Sequence, residues 1–331
     1  MARDHGFHVA RVLRVIEETA DARTYVLHAP FSYLAGQFVT FRACGELRSY
    51  SMSSSPDCDA ELATTVKRVP GGLVSNWLID NLKVGDVVEV TAPAGVFTLR
   101  DNEAPLVALA GGSGVTPIMS LAKSALATTS RRVKILLANR DAGSVIFAAA
   151  LGQLIERHPG RLEVRHHLDA VAGLVSAAEI ADFTSDTAEG ADFYLCGPEP
   201  FMDLIRGVLL SRGIAADRIL TERFSPAEPG AREEVLAGPA TGTITITLDG
   251  KTTATAHVPG ITLLEHARRA GLKPPFSCEA GNCATCLGRL KAGEVTMRVN
   301  NALDDDEVTD GYVLTCQSVP VTPDVSLVYE Y

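Results

Sequence analysis

Four cysteines carry the clearest chemistry: Cys278, Cys283, Cys286 and, far downstream, Cys316. Four residues separate the first two and two separate the next pair. C-x4-C-x2-C followed by a distant cysteine is the plant-type [2Fe–2S] spacing. Two irons bridged by two sulfides need four thiolates aimed at a compact, flat core. One short loop supplies three of them only if its backbone folds around that core. Gly281 can take conformations closed to residues with a Cβ, and Ala280 and Ala284 are small enough to pass close to it. Loop amides pointing at the sulfurs, together with solvent exposure, then set the reduction potential. Two other readings of four cysteines stand beside this one. Structural zinc takes them as paired short knuckles, and disulfides need an oxidising compartment. No Cys-x-His or Cys-x-x-His occurs, which argues against a Rieske centre. Such a cluster carries one electron at a time, so its source and destination must be sought elsewhere.

Other residue groups suit a donor. In Arg48-Ser49-Tyr50-Ser51 the arginine fork suits a phosphate, the tyrosine face a planar ring, and the serine a ring nitrogen. A surface arginine beside a core tyrosine is the plainer reading. Val66-Lys67 leads into a glycine-rich turn and Gly72-Leu73-Val74-Ser75, where a helix start offers free N–H groups to an anion; an ordinary capping turn would look the same. Gly111-Gly-Ser-Gly-Val-Thr116-Pro117 joins an apolar run to a helical one, with Thr116 able to cap and Pro117 suited to a first turn. It departs from G-x-G-x-x-G, since Pro117 replaces the last glycine. Cys196-Gly197-Pro198 ends a further apolar run, and alone Cys196 reads best as a buried small hydrophobe. Glu222-Arg-Phe224 precedes a segment rich in Pro, Gly, Ala and charge. Arg140 has two readings, a phosphate contact or a solvated strand-end charge. The acidic run Asp304–Glu307 likewise either faces a basic partner or opens a helix.

The elements that position these groups fall into three blocks. Residues 8–100 show short β-prone runs: His8–Ile16, Arg23–His28, Gly36–Phe41, Ala63–Val69 and Asp86–Thr91. With one helix from near Leu73 to before Gly85, they predict an antiparallel barrel or sandwich. Residues 104–224 alternate. Strands are expected at Pro105–Ala110, Val133–Ala138, Leu162–His167 and Asp192–Cys196, and helices at Ile118–Ala127, Ala148–Arg157, Ser176–Ala181 and Glu199–Ser211. That order predicts a parallel sheet covered on both faces. Residues 225–241 read as a linker. Beyond it, Asp249-Gly250 marks a hairpin between Thr243–Leu248 and Thr252–Val258, and Ile261–Ala270 is helical. The expected units are therefore 1–103, 104–224 and 242–331, the last an α+β fold of β-grasp type. The chain has 331 residues, 46% of them apolar and 21% charged, with a formal net charge of −10. Such a balance disfavours nucleic acid as a partner. No run approaches the roughly 18 apolar residues of a membrane span, and Met1-Ala-Arg-Asp-His leads into no apolar stretch. A cytoplasmic protein without an export signal is expected.

Together these motifs resemble the ferredoxin–NADP⁺ reductase superfamily over essentially the whole chain. The order of parts is similar to the reductase components of phenylacetyl-CoA epoxidase, 3-ketosteroid 9α-hydroxylase and phthalate-type dioxygenase systems. The resemblance implies a flavin barrel, a nicotinamide domain and a C-terminal ferredoxin domain that feed electrons from NADH or NADPH to an oxygenase. It implies that Arg48 binds flavin diphosphate, Tyr50 stacks on the isoalloxazine and Ser51 hydrogen-bonds near N5. Ser49, Val66 and Lys67 join the flavin site, and Gly72, Leu73, Val74 and Ser75 hold the pyrophosphate. It places Thr116, Gly197 and Pro198 at the nicotinamide nucleotide and Cys196 near its reactive carbon, and leaves Arg140 between a 2′-phosphate contact and a solvated strand-end charge. Glu222 and Phe224 match the acid and the aromatic that covers the flavin, although in plant reductases that aromatic ends the chain, and it is often tyrosine. Ser53-Ser-Ser-Pro56 is similar to the FAD-type members, which implies FAD rather than FMN. Two rival functions follow if the cysteines bind zinc or no partner exists: a flavoprotein with a zinc interaction module, or a stand-alone oxidoreductase.

Overall fold

The computed structural model describes residues 7–187, 190–224, 242–276, 278–279, 281 and 283–329. The expected linker 225–241, Ala280 and the first six residues lie outside them. The first sheet is antiparallel and contains β1 (Phe7–Thr19), β2 (Ala22–His28), β3 (Phe38–Ala43), β4 (Glu46–Ser51), β5 (Leu62–Lys67) and β6 (Val87–Thr91). Their order is β4-β3-β6-β1-β2-β5. The Met52↔Thr64 bridge brings β5 back against the end of β4, so the sheet curls into a barrel. The Arg48–Ser51 motif lies within strand β4. Its mostly half-buried residues lack the alternation that marks a strand. Helix α1 (Leu73–Asn81) plugs the barrel. The buried Tyr25 hydroxyl donates to the Leu78 carbonyl at 2.7 Å, and Val74, Leu78 and Ile79 join the barrel core.

The second sheet is wholly parallel in its pairings. Its strands are β7 (Leu106–Gly111), β8 (Val133–Asn139), β9 (Leu162–Leu168), β10 (Asp192–Cys196) and β11 (Ile219–Glu222), in the order β11-β10-β7-β8-β9. The edge strand β11 was not foreseen; four residues carry too little pattern. Leu106, Ala108 and Ala110 of β7 face one core, with α2 (Val115–Thr128) and α3 (Ala148–Arg157). Val107 and Leu109 face the other, with α5 (Ala177–Phe183) and α6 (Glu199–Ser211). The single turn α4 (Asp169–Ala172) follows β9. Ala22, Ala35 and Phe97 of the barrel pack into the same core as β7 and α2, and polar contacts flank that join. Ser55 and Ser124 share a hydrogen bond of 2.7 Å, the Ser120 hydroxyl donates to the Ser54 carbonyl at 2.5 Å, and Lys123 reaches Asp59 at 3.0 Å.

The third unit has the sheet order β13-β12-β18-β14-β16, with β12 and β18 parallel. Its elements are β12 (Thr243–Leu248), β13 (Lys251–Ala256), α7 (Leu263–Arg269), β14 (Leu287–Ala292), β15 (Val295–Met297), α8 (Asp305–Thr309), β16 (Tyr312–Leu314), β17 (Ser318–Pro320) and β18 (Val325–Val328). Asp249 and Gly250 both take positive φ, 50° and 73°, as a tight two-residue hairpin demands. The acidic run opens α8: Asp304 accepts from the Glu307 N–H at 2.9 Å and Glu307 reaches back to the Asp304 N–H at 3.0 Å. Glu307 is buried, so the run does not present all four charges to a partner. No helix among the described residues is long and apolar enough to cross a membrane.

Candidate functional site

The four cysteines stand as two pairs. Cys278 hydrogen-bonds to Cys283 and lowers it to about 7, while Cys286 hydrogen-bonds to Cys316 and, buried as well, is held well above the usual thiol value. Among the described residues no three such ligands converge on a point that one ion could fill. A tetrahedral zinc site needs that convergence. A two-iron cluster instead takes two terminal thiolates at each iron, and the two-and-two grouping fits it. The loop geometry fits too. Gly281 has φ +77°, and a Cβ there would stand 2.7 Å from the Val299 carbonyl oxygen. Glu279 and Ala284 also take positive φ, 48° and 53°. The Gln317 amide donates to the Glu279 carbonyl at 2.7 Å, and Arg268 grips the Glu279 carboxylate at 2.8 and 2.9 Å. Leu264, Leu314, Ala302 and Leu303 pack round Cys286 and Cys316 and keep the inner wall dry.

On the barrel, Tyr50 packs edge-on against Phe41 with ring centroids 5.4 Å apart, and burial raises its phenol. Ser51 is buried next to it; its carbonyl accepts from the Thr64 hydroxyl at 2.8 Å, while its own hydroxyl has no partner among the described residues. Ser49 shares a 2.8 Å hydrogen bond with Thr40. Arg48 bonds the Leu47 carbonyl at 2.6 Å and Glu46 at 3.2 Å. Val66 is buried, whereas Lys67 at the end of β5 stays half-buried.

Helix starts separate structural from available N–H groups. Ser176, Thr262 and Asp304 cap α5, α7 and α8 through their side chains. The N-caps of α1 and α2 are Gly72 and Gly114, with no side-chain cap and no acid in the first turn. Ser75 and Thr116 therefore do not cap as the sequence allowed. Ser75, the third helical residue, accepts from the Val69 N–H at 3.2 Å, and Thr116 donates to the Ser113 carbonyl at 2.9 Å. Uncapped N–H groups with the helix dipole behind them suit phosphate. Leu73 is exposed and Val74 buried, so this turn has one open side.

The turn after β7 and the turn after β10 touch. A Cβ on Gly114 would stand 2.1 Å from the Cys196 carbonyl oxygen, and one on Gly197 would stand 2.9 Å from the Gly111 nitrogen. A Cβ on Gly111 would meet Pro198 Cδ at 2.9 Å. This contact sits where strand order reverses, between β7 and β10, the place where open α/β sheets bind ligands. Lys67 Nζ comes within 3.8 Å of where a Gly112 Cβ would lie, so the barrel overlooks the same turn. Cys196 pairs with Glu222 across β10 and β11. Burial, then the neighbouring Glu222, pushes the Cys196 thiol well up. Burial, then the charge of a Cys278 thiolate, pushes Glu222 up to about 8. Phe224, just past β11, is 42% exposed. Arg140 stands apart at the end of β8, its side chain 71% exposed.

A cleft of about 1680 Å³ separates the barrel from the cysteine-bearing unit. Arg48, Gln37 and Arg42 line one wall, and Cys283, Ala284 and Arg268 the other. Tyr50, Ser51 and the α1 and α2 turns are not among its lining residues. Arg42 and Arg268 escaped the sequence reading, because an isolated arginine in a strand or helix carries no motif.

Comparison with known proteins completes the picture. Family models match residues 10–99 (oxidoreductase FAD-binding domain), 108–207 (oxidoreductase NAD-binding domain) and 246–321 (2Fe-2S iron-sulfur cluster binding domain). The chain is 38% identical to the ferredoxin reductase component of 3-ketosteroid-9-alpha-monooxygenase from Mycolicibacterium smegmatis, covering 98% of each. It is 34% identical to the glycine betaine monooxygenase reductase subunit of Pseudomonas aeruginosa, covering 96% of this chain and 94% of that one. Its fold matches phthalate dioxygenase reductase with a TM-score of 0.64 over 98% of both chains, at 22% identity. The chain belongs to the ferredoxin–NADP⁺ reductase superfamily, among the oxidoreductases that carry FAD-binding, NAD-binding and [2Fe–2S] domains as reductase components of oxygenases.

Proposed function

We propose that the chain takes electrons from NADH or NADPH at the junction of β7 and β10 and releases them through Cys278, Cys283, Cys286 and Cys316 to an oxygenase. The observation that carries this reading is the two-and-two grouping of the cysteines, one of which faces Arg48 across a shared cleft. When bound, nicotinamide, FAD and the [2Fe–2S] cluster supply the redox chemistry: a hydride pair enters and single electrons leave. The protein's part is to bind, orient and exclude water. Gly72–Ser75 offers N–H groups to flavin pyrophosphate, and Arg48 offers its guanidinium to the flavin diphosphate. Tyr50 offers a ring face, with Ser49 and Val66 shaping the pocket. Lys67 offers its ammonium to phosphate. Gly114, Cys196, Gly197 and Pro198 leave a floor without side-chain bulk where a flat ring can lie close. Thr116 fixes the turn, Glu222 lies behind Cys196, and the half-exposed Phe224 is a cover that an entering ring can displace.

The units proposed are 1–103, 104–224 and 242–331, joined by 225–241, in a cytoplasmic protein. Anaerobic titration with NADH tests the reading. Absorbance should bleach to the level of two electrons at the flavin and one at the cluster. Bleaching that stops at the flavin contradicts it. A second expectation concerns Ser51, buried beside Tyr50 at the end of β4, where the reading places a hydrogen bond to a flavin ring nitrogen. Ser51→Ala should slow flavin reduction by NAD(P)H roughly 10-fold or more, the worth of one hydrogen bond to developing charge, with FAD content near normal. Stopped-flow rates equal to wild type would remove Ser51 from the reacting centre.

A further inference from the structure

Asp21 is a barrel residue in the turn between β1 and β2, yet its carboxylate serves the nucleotide edge of the neighbouring sheet. Its Oδ2 lies 3.7 Å from Arg140 Nη2 at the end of β8 and 3.9 Å from Lys67 Nζ at the end of β5. The turn is held so that this oxygen faces the two cations. The Thr19 hydroxyl donates to Asp21 Oδ1 at 2.8 Å, and the Arg68 N–H donates to the Asp21 carbonyl at 2.7 Å. Next to it, Glu18 accepts from the Thr24 hydroxyl at 2.7 Å and from the Phe147 N–H at the start of α3 at 3.3 Å, which pins the turn against the parallel sheet.

A nucleotide whose pyrophosphate lies over the Gly111–Gly114 turn runs its adenosine half toward the next strand end, that of β8. Arg140 would there meet the ribose 2′ position, and alone it would favour a 2′-phosphate. Asp21 changes that balance. A fixed carboxylate about 4 Å from both cations offsets their charge and repels a dianionic phosphate, while a 2′-hydroxyl pays no such penalty. We infer that Asp21 is a specificity-determining residue, one that makes this chain prefer NADH over NADPH from the flavin side of the join. The inference rests on the electron-donor reading above.

The test is equilibrium binding of NAD⁺ and NADP⁺ to the oxidised holoprotein, followed by perturbation of the flavin absorbance. Wild type should bind NAD⁺ more tightly. Asp21→Asn keeps the shape and the Thr19 contact, and should raise NADP⁺ affinity about tenfold relative to NAD⁺. Arg140 is exposed, so Arg140→Ala folds; in the Asp21→Asn background it should remove most of that gain. Adenosine 2′,5′-bisphosphate and AMP, as competing probes, should show the same change of ratio. A wild-type preference for NADP⁺, or an unchanged ratio in Asp21→Asn, overturns the inference and leaves the electron-donor reading standing. If neither nucleotide perturbs the flavin, that reading falls and this inference falls with it.

Discussion

Cys283→Ser should lose most of the [2Fe–2S] absorption and bound sulfide while keeping FAD. Cys283 forms one pair with Cys278, so its loss leaves one iron with half of its protein thiolates. Removing even an outer partner of a ligand costs about 10–100-fold in metal affinity; removing the ligand costs more. The flavin motifs lie on β4, β5 and α1, whose core contains no cluster residue, so the flavin should remain bound. Iron and sulfide analysis beside the visible spectrum checks both halves. Iron and sulfide content equal to wild type would mean that the four cysteines do not hold the cluster.

Gly114→Ala is expected to damage the other end of the electron path. The new methyl would stand 2.1 Å from the Cys196 carbonyl oxygen and 2.4 Å from its carbon, both backbone atoms that cannot swing aside. The two turns must part. Overpacking of this kind costs about 1–3 kcal/mol of stability. Displacement of about 1 Å at a reacting centre costs roughly 100-fold in rate. Flavin reduction by NAD(P)H should therefore fall on the order of 100-fold, while reduction by dithionite, which needs no nucleotide site, stays fast. Wild-type NAD(P)H rates in this variant would show that the contact of the β7 and β10 turns does not shape the nucleotide floor.

Much of this arrangement was legible from local pattern. The bounds of α3, β10, α6 and β12 agree with those read from sequence, since each is a periodic or continuous apolar run stopped by polar or turn residues. The cysteine spacing announced a cluster because a loop around a compact core has few solutions. Other features had no local signal. Strand β4 mixes charged, polar and aromatic residues, all half-buried except Ser51, so no alternation marks it as a strand. β15, β16 and β17 have three residues each, too few for any period to show. Ser75 and Thr116 are cap residues by type, but Gly72 and Gly114 take the cap positions, so no side chain caps either helix. The ion pair of Asp21 and Arg140 joins two units across more than a hundred residues; only the folded chain brings them together.

On the proposed path, electrons enter at the nucleotide edge and leave through the cysteine-bearing unit. The most direct test of this path compares a chain ending at Phe224 with the full-length protein in two assays, reduction of ferricyanide by NADH or NADPH and turnover coupled to the oxygenase. The flavin and nucleotide elements precede Phe224 and have their own cores, so the shortened chain should keep FAD. It should reduce ferricyanide at near full-length rates, because a small acceptor can take electrons from the flavin. It should lose nearly all oxygenase turnover. Oxygenase turnover undiminished in the shortened chain would mean that the flavin donates directly, and the proposed exit through the four cysteines would be wrong.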